Sequence, residues 1–205
     1  MALKRAVFVD RDGVINPLWV DPEHGVIDSP ANPDQFDLLE GVPEALRLLR
    51  SVGFLVVVVS NQPGIAKGKL TRLLLDAITE KMENGLRAGG VTMDGVYYCL
   101  HHPQAALEEF KVACECRKPK PGLLLRAARE MGIDLSGSYM IGDGLNDIQA
   151  GSAAGCRTIW IGPTGKLEYF SVMHSRQVRP DLVATDLLVA AGLIQKMERG
   201  DGNLP

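Results

Sequence analysis

Val7-Phe8-Val9-Asp10-Arg11-Asp12-Gly13-Val14 is an apolar run that ends in two carboxylates, one residue apart, and then a glycine. Val7, Phe8 and Val9 read as a short buried strand, too short and too β-branched for a helix. In an open α/β sheet, ligands gather outside the carboxyl ends of the strands, where both Asp fall. Two carboxylates there can hold a hard cation such as Mg²⁺ and still leave one oxygen free for chemistry. Acidic pairs after strands also occur as solvated turns or helix caps, so the rest of the chain has to decide.

Short apolar segments alternate with amphipathic stretches along the chain. Strands are expected at 5–10, 54–60, 95–99, 138–142 and 157–161, and helices at 42–52, 71–88, 121–131, 144–154 and 184–197. That alternation is the pattern of an α/β fold, a parallel sheet with helices on both faces. The unbroken run Phe54-Leu55-Val56-Val57-Val58-Val59 suits a central strand covered on both sides. Pro43 suits a first helical turn, Thr71 an N-cap, and Gly53 and Gly89-Gly90 helix ends. Residues 17–40, rich in Pro and Asp, are expected to form a loop beside the end of the first strand. Residues 163–180 read as an exposed excursion before the last helix. Residues 1–197 are expected to form a single domain and 198–205 a flexible tail.

A chain of 205 residues, 46% of them hydrophobic, can bury a substantial single core. A net charge of -3 lacks the dominant basic field of a nucleic-acid surface. No run is long enough for a membrane span, and the apolar segment at 5–9 is too short for a signal-peptide core. A cytoplasmic location is therefore expected, with the four Cys as reduced thiols, metal ligands or core residues.

Three further features fall at expected strand ends. Ser60-Asn61-Gln62-Pro63-Gly64 places a small hydroxyl and free turn N–H groups where they can hold a phosphate oxygen. Arg117-Lys118-Pro119-Lys120-Pro121 stiffens the backbone around a cation that can neutralise phosphate charge. Gly142-Asp143-Gly144-Leu145-Asn146-Asp147 adds a second acidic cluster, placed to complete a cation site with Asp10. A carboxylate pair, a hydroxyl, a lysine and a second acidic pair, all at carboxyl ends, agree on one chemistry. Between them, Cys99-Leu100-His101 and Cys114-Glu115-Cys116 form a C-x-H…C-x-C pattern, a tetrahedral Zn²⁺ ligand set of three Cys and one His. Spacing alone does not separate His101 from His102. Cys156 reads as a packed core thiol.

In order and type, Asp10-Arg11-Asp12-Gly13-Val14, Ser60, Lys118 and Gly142-Asp143 with Asp147 resemble the haloacid dehalogenase (HAD) superfamily of phosphotransferases. The resemblance spans residues 7 to 160. It implies a HAD-type, Rossmann-like sheet and a phosphatase working through an aspartyl-phosphate intermediate with Mg²⁺. The loop from Cys99 to Lys118, with Asn61-Gln62-Pro63-Gly64-Ile65-Ala66-Lys67-Gly68, resembles the branch of D-glycero-D-manno-heptose 1,7-bisphosphate phosphatases. Histidinol-phosphate phosphatases share a similar zinc loop and are the nearest alternative. A non-catalytic phosphosugar-binding protein is the alternative of another class.

What the resemblance implies is specific. Asp10 is the nucleophile, Asp12 the general acid and base, and Ser60 and Lys118 hold the phosphoryl group. Mg²⁺ is held by Asp10, the Asp12 carbonyl and Asp143, with Asp147 as an orienter. Zn²⁺ is held by Cys99, His101, Cys114 and Cys116. Asn61, Gln62, Arg117 and His24 contact the substrate, a small phosphorylated sugar that loses its C7 phosphate. The branch is capless and mainly monomeric. Two departures touch its substrate side: the stretch before Glu23-His24-Gly25-Val26 is longer, and Gly144 stands where related enzymes carry a lysine.

Overall fold

A computed structural model describes residues 3–25, 27–162, 173 and 175–200. In chain order the strands are β1 (Arg5–Val9), β2 (Trp19–Val20), β3 (Ile27–Asp28), β4 (Phe54–Asn61), β5 (Gly95–Cys99), β6 (Tyr139–Gly142), β7 (Arg157–Ile161) and β8 (Leu182–Ala184). The α-helices are α1 (Val42–Ser51), α2 (Arg72–Ala88), α3 (Gly122–Met131), α4 (Leu145–Ala154) and α5 (Leu187–Arg199). Six strands form one sheet in the order β5-β4-β1-β6-β7-β8, every neighbouring pair parallel. From β1 the chain first builds outward through β4 and β5, then returns to build β6, β7 and β8 on the other side. The strand order thus reverses at β1, and Asp10 stands just outside its carboxyl end, at the topological switch point.

Alternation along the strands divides the core in two. Val7, Val9, Val56, Val58 and Ile141 pack with Leu46, Leu49, Ile78, Met82 and Ile194, from α1, α2 and α5. Ala6, Phe8, Val57, Val59 and Met140 face the other way, onto Leu123, Leu124 and Ala127 of α3 and Ala150 of α4. Helices therefore cover both faces, and β1 and β4, apolar on both sides, are buried almost throughout.

Local chemistry sets the helix ends. Thr71 Oγ1 accepts from Leu74 N at 3.3 Å at the start of α2, and Asp186 Oδ1 accepts from Val189 N at 2.8 Å at the start of α5. Pro43 occupies the first turn of α1, and Gly53 and Gly90 turn the chain after α1 and α2 with φ of 91° and 77°.

Four expectations are corrected. The 17–40 loop contains the antiparallel β2–β3 hairpin and a 3-10 turn at Pro33–Gln35. The last helix starts at Leu187, not 184, because Leu182–Ala184 pairs with β7 as an edge strand. It also runs on through Glu198, whose carboxylate pairs with Arg5 at 2.5 Å, so the ordered chain continues past 197. Most of the 163–180 excursion lies outside the described residues. At its far end, however, Met173 and Val178 are buried against Ile148 and Trp160. Among the described residues, no helix is long and apolar enough to cross a membrane.

Candidate active site

The turn after β1 folds on itself: Arg11 O accepts from Ile15 N at 2.7 Å, and Gly13 N donates to Asn16 O at 2.8 Å. Gly13 has a φ of 80°, and a Cβ there would lie 2.1 Å from Asp143 Oδ2. Only glycine permits both this turn and the approach of the second acidic cluster. The turn directs the two carboxylates differently. Asp10 Oδ1 accepts from Arg11 N at 2.7 Å and from Lys118 Nζ at 3.0 Å. Asp12 points to a separate, buried set of donors in Arg11, Asn16 and Gln62.

Lys118 joins the halves of the site. Its side chain, 2% exposed, places Nζ within 3.0 Å of Asp10 Oδ1 and 2.5 Å of Asp147 Oδ1, and donates to Val59 O at 2.8 Å. Burial alone would depress the ammonium's pKa, but Asp10 and Asp147 more than reverse this, so the net shift is upward. Lys118 is therefore a fixed positive charge. Its backbone is pinned to the end of β4 by a reciprocal pair, Asn61 Nδ2 to Lys118 O and Lys118 N to Asn61 Oδ1, both at 3.0 Å.

Asp10, Asp143 and Asp147 offer oxygens that all lie within 4.8 Å of one another. Asp143 hangs at the end of β6, where Trp160 Nε1 donates to its carbonyl at 2.8 Å. Asp147 Oδ2 accepts from Gly144 N at 2.9 Å, in the first turn of α4. Three carboxylates face one ammonium. Burial, then the Asp10 and Asp147 charges, push the Asp143 carboxyl up to about 7. A cluster so short of positive charge, built from hard oxygens, fits a divalent cation such as Mg²⁺. Asp147 spends one oxygen on Lys118 and the other on Gly144, which suits it to orient the lysine.

The Asp143 pKa lies above its unfolded value, so its contribution to stability is full at acid pH and is lost as the pH rises through about 7. Metal-stripped protein should therefore melt lower at pH 8 than at pH 5.5, and added Mg²⁺ should raise the Tm more at pH 8. Thermal melts at both pH values check this, and an equal Mg²⁺ effect at the two would refute it.

The second metal-type cluster lies between β5 and α3. Cys99 Sγ is 3.6 Å from Cys114 Sγ and 3.3 Å from Cys116 Sγ, and His101 Nδ1 is 3.3 Å from Cys116 Sγ. A tetrahedral Zn²⁺ with bonds of about 2.3 Å to thiolates separates them by about 3.8 Å, so the donor set and its dimensions fit that ion. His101 is the member of this set. The Nδ1 of its neighbour His102 instead accepts from Gln104 N at 3.0 Å. Gly122 closes the loop, its N donating to Glu115 O at 3.0 Å; a Cβ there would come 2.2 Å from that oxygen.

Several residues expected in the site are placed otherwise than the sequence suggested. Asp147, expected as an orienter, brings its carboxylate to Asp10 and Asp143, while the Asp12 side chain faces the buried donors and the Mg²⁺ contact expected of Asp12 is one of its backbone carbonyl. Asn61 and Gln62 were expected to contact substrate, yet Asn61's amide is committed to Lys118 and Gln62's to Asp12 and Ser60. Arg117 Nη1 donates to His101 O at 3.2 Å, tying it to the cysteine cluster. His24 lies on the hairpin turn, 70% exposed, with its ring 3.3 Å from Asp21 Oδ1. It is not among the residues gathered around Asp10. The hairpin instead supplies Trp19, Asp21 and Asp28 to a cavity of about 200 Å³ whose far wall is Pro63, Gly64 and Lys67. Arg11 and Asn16, both fully buried, were not foreseen. An arginine between two aspartates, with an asparagine four residues after the second, was the available signal.

The chain is similar to known proteins in sequence and in fold. Residues 115–190 match the HAD-hydrolase-like family model. The chain is 46% identical over 161 residues to D-glycero-beta-D-manno-heptose-1,7-bisphosphate 7-phosphatase of Escherichia coli K12, covering 78% of this chain and 80% of the relative. The Vibrio cholerae protein of that name is 42% identical over 163 residues, covering 80% and 83%. Among solved structures, D,D-heptose 1,7-bisphosphate phosphatase from B. bronchiseptica, complexed with magnesium and phosphate, superposes with a TM-score of 0.75 at 30% identity, covering 94% of this chain and 99% of that one. The Burkholderia thailandensis structure of the same description gives 0.64 at 27% identity, covering 93% and 98%.

Proposed function

Since the chain belongs to the family of D-glycero-beta-D-manno-heptose-1,7-bisphosphate 7-phosphatases, we propose that it removes the C7 phosphate from D-glycero-beta-D-manno-heptose 1,7-bisphosphate. The observation that carries the chemistry is the fixing of one Asp10 oxygen by Lys118 and Arg11 N, at the switch point of the sheet. The other oxygen carries neither bond and is the one to attack phosphorus.

The reaction proceeds in two displacements. Asp10 bonds to phosphorus as the C7 ester P–O bond breaks, and Asp12 gives its proton to the departing alkoxide. Water then attacks the aspartyl phosphate and gives a proton to Asp12, while the bond between Asp10 and phosphorus breaks. Ester and water become alcohol and inorganic phosphate, and both aspartates return to their starting forms. Ser60 and Lys118 hold the phosphoryl oxygens, and the lysine charge meets them without reorganisation. Mg²⁺, when bound by Asp10, Asp143 and the Asp12 carbonyl, neutralises phosphate charge. The sugar lies toward the cavity between the hairpin and Pro63-Gly64-Lys67, the class of wall that reads a polyhydroxyl leaving group. The protein acts as a cytoplasmic monomer.

The test is phosphate release from a panel of heptose 1,7-bisphosphate anomers, histidinol phosphate and fructose 1,6-bisphosphate, with and without Mg²⁺. The β-anomer should give the highest kcat/KM. Preference for histidinol phosphate would replace the substrate and leave the two displacements standing.

The cysteine cluster, bound to Zn²⁺, has a structural role in this reading, because four protein ligands leave no open position. Cys116 directly precedes Arg117 and Lys118, so the cluster sets where both cations sit. Combined Cys114→Ala and Cys116→Ala changes should lower kcat/KM on the order of 10²-fold, the scale of a misplacement of about 1 Å. Metal analysis would confirm zinc loss, and full activity in the zinc-free protein would refute the role.

A further inference from the structure

Asp12 is held by more donors than any other carboxylate in the site. Its Oδ1 accepts from Arg11 Nε at 3.0 Å, Arg11 Nη2 at 2.9 Å and Asn16 Nδ2 at 3.0 Å. Its Oδ2 accepts from Gln62 Nε2 at 2.7 Å and Arg11 Nη2 at 3.1 Å. The donors are out of reach of solvent, with Arg11 and Asn16 at 0% and Gln62 at 1% exposure. The Arg11 guanidinium is itself seated 5.7 Å over the Tyr98 ring. Gln62 Nε2 also lies 3.2 Å from Ser60 Oγ. One amide nitrogen thus spans the group that moves the proton and the hydroxyl that holds the phosphoryl oxygen.

We infer that Gln62 and Arg11 are positioning residues: they fix the direction of the Asp12 carboxylate, and Gln62 sets its separation from Ser60. The inference rests on the aspartyl-phosphate reading above and goes beyond it, since it takes Gln62 from the substrate and gives it to the general acid and base. A carboxylate free to rotate would meet the leaving oxygen in only a fraction of its orientations. Bidentate contact from the planar guanidinium holds the carboxylate in its own plane. Gln62, approaching from β4, selects which edge of that plane faces the phosphoryl site. Proton transfer needs heavy atoms within about 2.6–3.2 Å, so small errors in aim cost rate.

The role has a signature that simple structural support lacks. An alkyl ester such as the sugar phosphate needs a proton on its leaving oxygen, whereas p-nitrophenyl phosphate leaves as a stable phenolate. Both esters need a base for the second displacement. Gln62→Met keeps side-chain length without the donor. It should lower kcat on heptose bisphosphate on the order of 10²-fold, the scale of one general acid–base contribution. The loss in the first displacement of p-nitrophenyl phosphate should be at least ~10-fold smaller, because that step needs no acid. Rapid-mixing traces of the variant should then show a burst of p-nitrophenol close to one equivalent of enzyme, followed by slow turnover.

Arg11→Lys keeps the charge but loses the bidentate contact. It should show the same leaving-group selectivity and decides the matter if Gln62→Met does not fold, as read from its thermal melt. Equal losses on the two esters without a burst would overturn the inference. Absence of an acid-stable, hydroxylamine-sensitive phosphoenzyme in quenched wild-type protein would instead overturn the underlying reading, whatever the variants do.

Discussion

Asp10→Asn should abolish turnover, by on the order of 10⁴-fold or more, in a protein that remains folded. The amide cannot form the acyl phosphate, and the two neighbouring carboxylates are each held in other contacts. Asp147 Oδ1 keeps its contact with Lys118 at 2.5 Å, while Asp143 Oδ2 is held so near Gly13 that no side chain fits between them. The stability expectation has a definite sign. After burial, Asp10 is the like charge that raises the Asp143 pKa most. Its neutralisation should let that carboxyl ionise at lower pH, so metal-free Asp10→Asn should melt at or above wild type at pH 8. Residual phosphate release near the wild-type rate would remove Asp10 from the chemistry. A large fall in Tm would mean that its charge is structural.

The two metal-type clusters and the phosphoryl site share a single short segment. Cys114 and Cys116 contribute to the thiolate group, Arg117 reaches back to His101 O, and Lys118 enters the carboxylate cage. Between Cys116 and Lys118 there is one residue. The segment is held from outside by Asn61 at its lysine end and by Gly122 N on Glu115 O at its other end. That continuity places a soft-donor cluster two residues from the lysine that sets the charge of a hard-oxygen site.

The central sheet was legible because its strands are apolar on both faces, a pattern that β1 and β4 carry in uninterrupted runs. The pieces that escaped are those with the least such signal. Trp19–Val20 and Ile27–Asp28 are two residues each, and β2 and β3 pair on the surface among prolines and acids. Leu182–Ala184 merges in sequence with the apolar face of α5, and only the Asp186 cap separates them.

In the site, residue types at strand ends told which groups would meet, since the sheet carries all of them to one edge. They did not tell where each side chain would point. Asp10 and Asp12 are identical in kind, and the turn closed by Gly13 N on Asn16 O sends one toward Lys118 and the other toward Arg11. Gln62 resembles a substrate contact in sequence, because a polar residue after a strand end is most often accessible. It is buried here because β5 closes over it, its N–H donating to Cys99 O at 2.8 Å.

Lys118→Met should be the most destabilising single change in the site and should also cost activity on the order of 10³-fold. The lysine lies at 2% exposure, and its removal leaves Asp10, Asp143 and Asp147 facing one another with no cation among them. Breaking a buried ion pair from one side costs about 3–5 kcal/mol, because the abandoned charge stays desolvated. Val59 O would also lose its donor, adding about 1–3 kcal/mol if it is left unpaired. The pH dependence has the same sign as in the wild type, and a larger amplitude. The Asp143 and Asp147 pKa values, already raised in the fold, would rise further, so the penalty should shrink at pH 5 and grow above pH 7, where protons no longer substitute for the ammonium. Mg²⁺ should recover part of the Tm at pH 8, because it supplies the missing positive charge to the same oxygens. It should not recover turnover, because the phosphoryl oxygen that Lys118 is proposed to hold would still lack its partner. A variant as stable as wild type at pH 8 without divalent cation would show that the three carboxylates do not repel as their spacing implies. The assignment of that cluster to a divalent cation would fall with it.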